Sequence, residues 1–279
     1  MQGCNANFGP GPAQAAAVTL SFFDGTFDLA LVGLDAEPEV VRALSRLLSE
    51  AEQERAAKFR FARDRRRFIV ARARLRQVLA ARLGRPAQSI EFAYGEQGKP
   101  ELGSFCGHCG ICFNVSHAQD LAAFAFSSAR AIGIDIECLR PIDGTEDIVT
   151  RFFTPREKEL YRALDPRQRP AGFFNWWTRK EAFVKALGGG LAHSLADFDV
   201  TLAPSEPARI LRVGDASGER CGWMLRDFSP APGFVGAVVV QAHASAASGS
   251  RRMQPHPRSA TAEMRRRLLT DTIGQGNWR

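Results

Sequence analysis

Apolar positions change their period several times along the chain, and the changes divide it into elements. "FDLALVGL" (27–34) is an apolar run of strand length. Residues 37–83 then carry apolar positions at helical spacing, and Gly84 and Pro86 stop the pattern. "IEFAYG", "CFNVSH" and "LAAFAFS" follow as strand-like runs. "IGIDIE" (132–137) alternates strictly, Ile132, Ile134 and Ile136 against Gly133, Asp135 and Glu137, which is the period of a half-buried strand. Residues 145–187 read as mainly helical, and "FDVTL", "GWMLRDF" and "GFVGAVVVQA" as further strands.

The order strand, helices, strands therefore occurs twice, with the change near residue 128. It is a repeat of element order and not of residue identity. The expectation is an α+β fold of two pseudo-symmetric, α/β-sandwich-like halves, 19–128 and 129–244. Residues 1–18 read as a flexible leader and 245–279 as a basic, disordered tail.

Charge adds one qualification. The net charge of +7 suggests a polyanion-binding protein. Seven arginines of the tail (251, 252, 258, 265, 266, 267, 279) stand against Glu263 and Asp271, so +5 of the excess lies there and about +2 in the body. That argues against a nucleic-acid face. No apolar run reaches the roughly 18 residues of a membrane span, and the first residues lack the basic start and apolar core of a signal peptide. A cytoplasmic, monomeric protein with cysteine thiols is expected. "CGHCGIC" (Cys106, Cys109, Cys112, with His108) lacks a second cysteine pair and is not expected to hold a metal.

The candidate chemistry begins with Asp135 and Glu137. Residues two apart on a strand share a face, roughly 6.5–7 Å apart, so the two carboxylates repel unless something compensates. A solvent-facing edge and a hard cation such as Mg²⁺ both account for the pair. "FFNWWTRKEAFVKALGGG" is an amphipathic helix in which Phe173, Trp177, Val184 and Leu187 form the apolar stripe. Glu181 and Lys185, four apart, share one of its faces near that stripe, where an unpaired carboxylate is costly. Glu181 is therefore a candidate metal ligand or general base. Lys99 in "GKP" and Ser116 with His117 in "FNVSH" offer donors to phosphate. Of the dense basic stretch Arg55–Arg76, a few arginines suit the phosphates of a nucleotide-like ligand.

"GKP", "FNVSH", "IGIDIE", "RFFTPREKE" and "WTRKEAFVKALGGGL" stand in the order and approximate spacing found in 4′-phosphopantetheinyl transferases. Over roughly residues 27–242 the chain resembles the large Sfp-type branch of that family, in its W-x-x-K-E-A subclass. The resemblance implies an active site in the cleft between the halves, with coenzyme A bound there. It implies Mg²⁺-dependent transfer (Mn²⁺ as an alternative) to the serine of an apo acyl, peptidyl or aryl carrier protein. By position Asp135, Glu137 and Glu181 match the metal and catalytic carboxylates, and Lys185 the pyrophosphate-binding lysine. Arg55, Arg67, Lys99, Ser116 and His117 match coenzyme A contacts. Glu52 stands where the family has a basic residue, and Glu157 matches a family glutamate whose role the resemblance leaves open. The rival readings are a metal-dependent phosphohydrolase of a small nucleotide and a basic nucleic-acid-binding module; the latter would tolerate loss of Asp135.

Overall fold

A computed structural model describes residues 18–22, 26–95, 99–103, 109–188, 194–214, 216–217 and 222–242. The leader before residue 18, the tail, Cys106 and His108 lie outside them.

The first half is built on an antiparallel sheet in the order β1 (Val18–Phe22), β2 (Phe27–Gly33), β6 (Leu121–Ser128), β5 (Ile111–Ala118). Both faces of β2 are buried, as its continuous apolar run requires. Ala30 and Val32 pack under the helices of this half, and Leu29 and Leu31 face the other way. The helical stretch 37–83 is three helices, α1 (Pro38–Ser45), α2 (Glu50–Ala57) and α3 (Ala62–Leu83). The break before α2 has a local cause. Ser49 accepts from the Glu52 amide and Glu52 returns a carboxylate to the Ser49 amide, a capping box that starts a new helix. Short strands β3 (Phe92–Tyr94) and β4 (Pro100–Leu102) form the hairpin that carries Lys99.

The second half has the antiparallel order β11 (Trp223–Phe228), β12 (Phe234–Gln241), β7 (Ile132–Cys138). Helices α4 (Thr145–Phe152), α5 (Pro155–Ala163) and α6 (Arg169–Leu187) accompany it. A small sheet of β8 (Phe198–Val200), β9 (Ile210–Val213) and β10 (Ala216–Ser217) completes the half. Strands β1, β4, β9 and β10 are elements that the apolar pattern did not reveal. They are short, and short runs carry little periodicity.

The halves share an apolar layer. Ile132, Ile134 and Ile136 of β7 and Val238 and Val240 of β12 pack with Leu29, Leu31, Ala123 and Ala125 of the first sheet. The other face of β7, which carries Gly133, Asp135 and Glu137, lies against α6. A Cβ on Gly133 would stand 2.0 Å from the Ala182 carbonyl oxygen and 2.4 Å from the Ala186 nitrogen. Glycine thus lets helix and strand backbones touch at this point. The acidic face of "IGIDIE" is covered by a helix and does not face solvent. No described helix is long and apolar enough to cross a membrane.

Candidate active site

Helix α6 is pinned from its far side. Lys180 and Glu157 are fully buried and form an ion pair at 2.7 Å. Lys180 also donates to the carbonyls of Leu195 at 2.7 Å and Phe198. Glu157 is the N3 residue of the α5 capping box with Thr154, and accepts from Trp176 Nε1 at 2.9 Å and from the Val200 amide at 3.0 Å. Burial lowers the Lys180 pKa and the Glu157 charge opposes that shift. Next to it, buried Arg179 donates to the Thr201 carbonyl at 2.7 Å. These groups, with Phe153 stacked on Trp176 at 3.8 Å between centroids, set the rotation of α6 about its axis. Glu157 is therefore a framework residue, which assigns the glutamate whose role the motif left open.

The same rotation turns Glu181 and Lys185 toward β7. Lys185 Nζ lies 2.6 Å from Asp135 Oδ1 and 3.0 Å from the Ile134 carbonyl. Ser116 Oγ donates to Asp135 Oδ1 at 3.0 Å and accepts from the Ile136 amide at 3.2 Å. Asn114, two residues earlier on the same face of β5, accepts from the Ile134 amide at 2.9 Å. Polar side chains of β5 thus bond the free edge of β7, in place of a backbone ladder. The single proton of Ser116 goes to Asp135, where the sequence suggested a phosphate contact.

Electrostatics follow from burial. Asp135 is pushed up from its ordinary pKa first by desolvation and also by the Glu181 charge, with Lys185 pulling it down. Glu137 is raised to about 7 by burial and by Asp135, while Arg140 and Trp177 pull it down. Its two oxygens accept from Trp177 Nε1 at 3.2 Å and Arg140 Nη1 at 3.1 Å. Each strand carboxylate thus has its own cation, Lys185 for Asp135 and Arg140 for Glu137. That is how the pair is tolerated within the chain itself.

Two basic groups of the first half, Lys99 and His117, reach the same junction. Lys99 Nζ donates to the Lys185 carbonyl at 3.1 Å and the Ile132 carbonyl at 3.5 Å, and burial lowers its pKa. His117 is half-buried, its pKa lowered to about 3 by desolvation and by the Lys185 charge. Arg67 sits at the β5–β6 turn, donating to Asp35 at 2.7 and 2.8 Å and to the Gln119 carbonyl at 2.9 Å. Arg55 lies over the Phe68 ring on the helical layer, 5.6 Å from its centroid. Glu52 is buried and pairs with Arg76 at 2.8 Å, so it serves the fold. Lys99, Ser116, His117, Asp135, Glu181 and Lys185 meet at the junction of the halves.

Among the described residues no group of three or more acidic, histidine or cysteine side chains is arranged to hold a metal ion. Asp135 Oδ2, however, is buried and finds no hydrogen-bond partner among those residues. A hard-cation ligand needs such an oxygen, so Asp135 could supply one ligand to a cation such as Mg²⁺. Sequence reasoning missed Asn114, Trp177 and Arg140. Only Asn114 carried a signal, its strand parity with Ser116.

Two family models match the chain. One described as 4′-phosphopantetheinyl transferase superfamily covers residues 131–226, and one described as 4′-phosphopantetheinyl transferase, N-terminal, covers 35–129. The 4′-phosphopantetheinyl transferase HetI of Nostoc sp. is 40% identical over 209 residues, 75% of this chain and 85% of that protein. A putative 4′-phosphopantetheinyl transferase of Synechocystis sp. is 35% identical over 64% of this chain and 71% of its own length. The 4′-phosphopantetheinyl transferase of Bacillus subtilis is 34% identical over 56% of this chain and 66% of its own.

Proposed function

Because the chain belongs to the 4′-phosphopantetheinyl transferase family, we propose that the junction of its halves is the place where phosphopantetheine passes from coenzyme A to a carrier-protein serine. The observation that carries the reading is the gathering of Lys99, His117 and Lys185 around buried Asp135. Two ammonium groups and the imidazole of His117 gather where Asp135 still has one oxygen without a partner among the described residues, which suits an anionic diphosphate held together with a cation.

In this reading the serine oxygen forms a bond to the phosphorus that carries pantetheine, and the anhydride P–O bond breaks. The products are holo-carrier protein and 3′,5′-ADP. Lys99, Lys185, His117, Arg67 and Arg55 bind the phosphates of coenzyme A. Glu181, buried and directed toward β7, takes the serine proton. Asp135, Glu137 and Glu181 hold Mg²⁺, which when bound neutralises diphosphate charge. Ser116 fixes the rotamer of Asp135, and Trp177 with Arg140 fixes that of Glu137. The partners are apo carrier proteins of the acyl, peptidyl or aryl kind, and the reaction belongs to the cytoplasm.

The test mixes the full chain with coenzyme A, Mg²⁺ and several apo-carrier proteins and weighs the carriers. A gain of one phosphopantetheine group is expected, and it should vanish when Mg²⁺ is chelated. Release of phosphate from coenzyme A with carriers unmodified would sink the proposal in favour of a hydrolase.

A further inference from the structure

The ion pair between Lys185 and Asp135 puts an ammonium on a carboxylate proposed as a metal ligand. Lys185 Nζ stands 2.6 Å from Oδ1 of the carboxylate that is expected to bind a divalent cation. The Asp135 side chain is only 8% exposed whereas that of Lys185 is 24% exposed, so the ammonium lies on the open side of a buried anion. Ser116 anchors Oδ1 from within, and Oδ2 remains without a partner among the described residues. Glu181, itself buried, adds negative charge at the same place.

We infer that Lys185 is the interim counter-ion of Asp135, released to the phosphates of coenzyme A when a divalent cation takes over that carboxylate. The inference rests on the proposed reading of this site. A buried carboxylate close to a second carboxylate needs positive charge at all times. An ammonium and a divalent cation on the same carboxylate repel each other strongly at such separations. The ammonium sits on a flexible four-carbon stem with rotatable donors, so it can leave without moving the helix. Lys99, which donates to the carbonyl of Lys185, keeps a second positive charge beside it and disfavours any stay of both ammoniums without an anion. Cation and coenzyme A then help each other to bind: the cation frees the lysine, and the phosphates receive it. The coupling is reciprocal by thermodynamic necessity.

Mn²⁺ and Mg²⁺ binding to the full chain, by electron paramagnetic resonance and calorimetry with and without coenzyme A, tests this without turnover. Lys185→Met keeps the stem and removes the charge. A charge-assisted contact of this class changes an equilibrium constant roughly ten- to hundredfold. Cation affinity without coenzyme A should therefore rise about tenfold or more in Lys185→Met, while the gain in cation affinity caused by coenzyme A shrinks. Lys185→Arg, which retains a competing cation, should stay near wild type, and this guards against a folding artefact in the methionine variant. Unchanged or weaker cation binding in a folded Lys185→Met would overturn the exchange while leaving the metal site intact. No cation binding by the wild type, even with coenzyme A, would overturn the metal assignment and the exchange together.

Discussion

Gly133→Ala is the sharpest test of how the fold holds the site. The added methyl would stand 2.0 Å from the Ala182 oxygen, about 1.4 Å short of an ordinary 3.4 Å contact, and 2.4 Å from the Ala186 nitrogen. Both atoms are backbone in the C-terminal part of α6, so no side chain can swing aside. Helix and strand must separate by on the order of 1 Å, against the anchors that hold α6 from behind. Overpacking of this kind costs about 1–3 kcal/mol, and a backbone clash belongs at the upper end. For a protein of this size, about 3 kcal/mol lowers the melting temperature by roughly 6–12 °C. The same displacement draws Glu181 and Lys185 away from Asp135, and an error of about 1 Å in such a site costs on the order of 10²-fold in rate. Thermal melts and initial rates of carrier modification by intact mass read both effects. Gly33→Ala is the control, because nothing lies within 4 Å of a Cβ at that position. A Gly133→Ala protein with wild-type melting temperature and rate would refute the close packing of α6 on β7.

Lys180→Met leaves Glu157 buried without its cation, and urea denaturation should show a loss of about 3–5 kcal/mol, the usual cost of breaking a buried pair; a loss below about 1 kcal/mol would remove Lys180 from the framework. Glu181→Gln keeps the shape but not the base, so its turnover should fall roughly 10²–10⁴-fold while coenzyme A binding by calorimetry holds. Near-normal turnover would pass the proton to another group. His117, with its folded pKa lowered to about 3, resists protonation that the unfolded chain accepts below about 6.5. Its contribution to stability is complete above pH of about 6.5 and is lost as pH falls toward 3. Glu137, raised to about 7, acts in the opposite sense and loses stability as pH rises through its range. The informative quantity is thus a difference: between pH 7 and pH 5, His117→Asn should lose less stability in thermal melts than the wild type does. Equal losses would show that His117 titrates normally.

Much of this protein is legible without its structure. The alternation of "IGIDIE" announced a strand with an apolar and an acidic face, and both faces exist. The stripe through "FFNWWTRKEAFVKAL" announced a helix with an apolar face and with Glu181 and Lys185 on one side, though burial runs round more of the helix than the stripe implied. Local periodicity determines these features, because a side chain's direction along a helix or strand depends on position alone. The helical reading of 37–83 erred at Ser49, where a capping box overrides an apolar pattern that runs on, and at Phe61, where the backbone turns extended before α3 without a side-chain cap.

Tertiary structure decided what each face meets. Periodicity could say that Asp135 and Glu137 point the same way; it could not say that α6 covers them or that Lys185, fifty residues away, neutralises one and Arg140 the other. Nor could it separate the neighbours Lys180 and Glu181, one a buried anchor on Glu157 and one turned toward Asp135. Successive residues on a helix differ by about 100° in direction, so their roles depend on which partners the rest of the fold sets at each bearing. Such partners come from distant parts of the chain, and their pairing depends on long-range packing that no local pattern encodes.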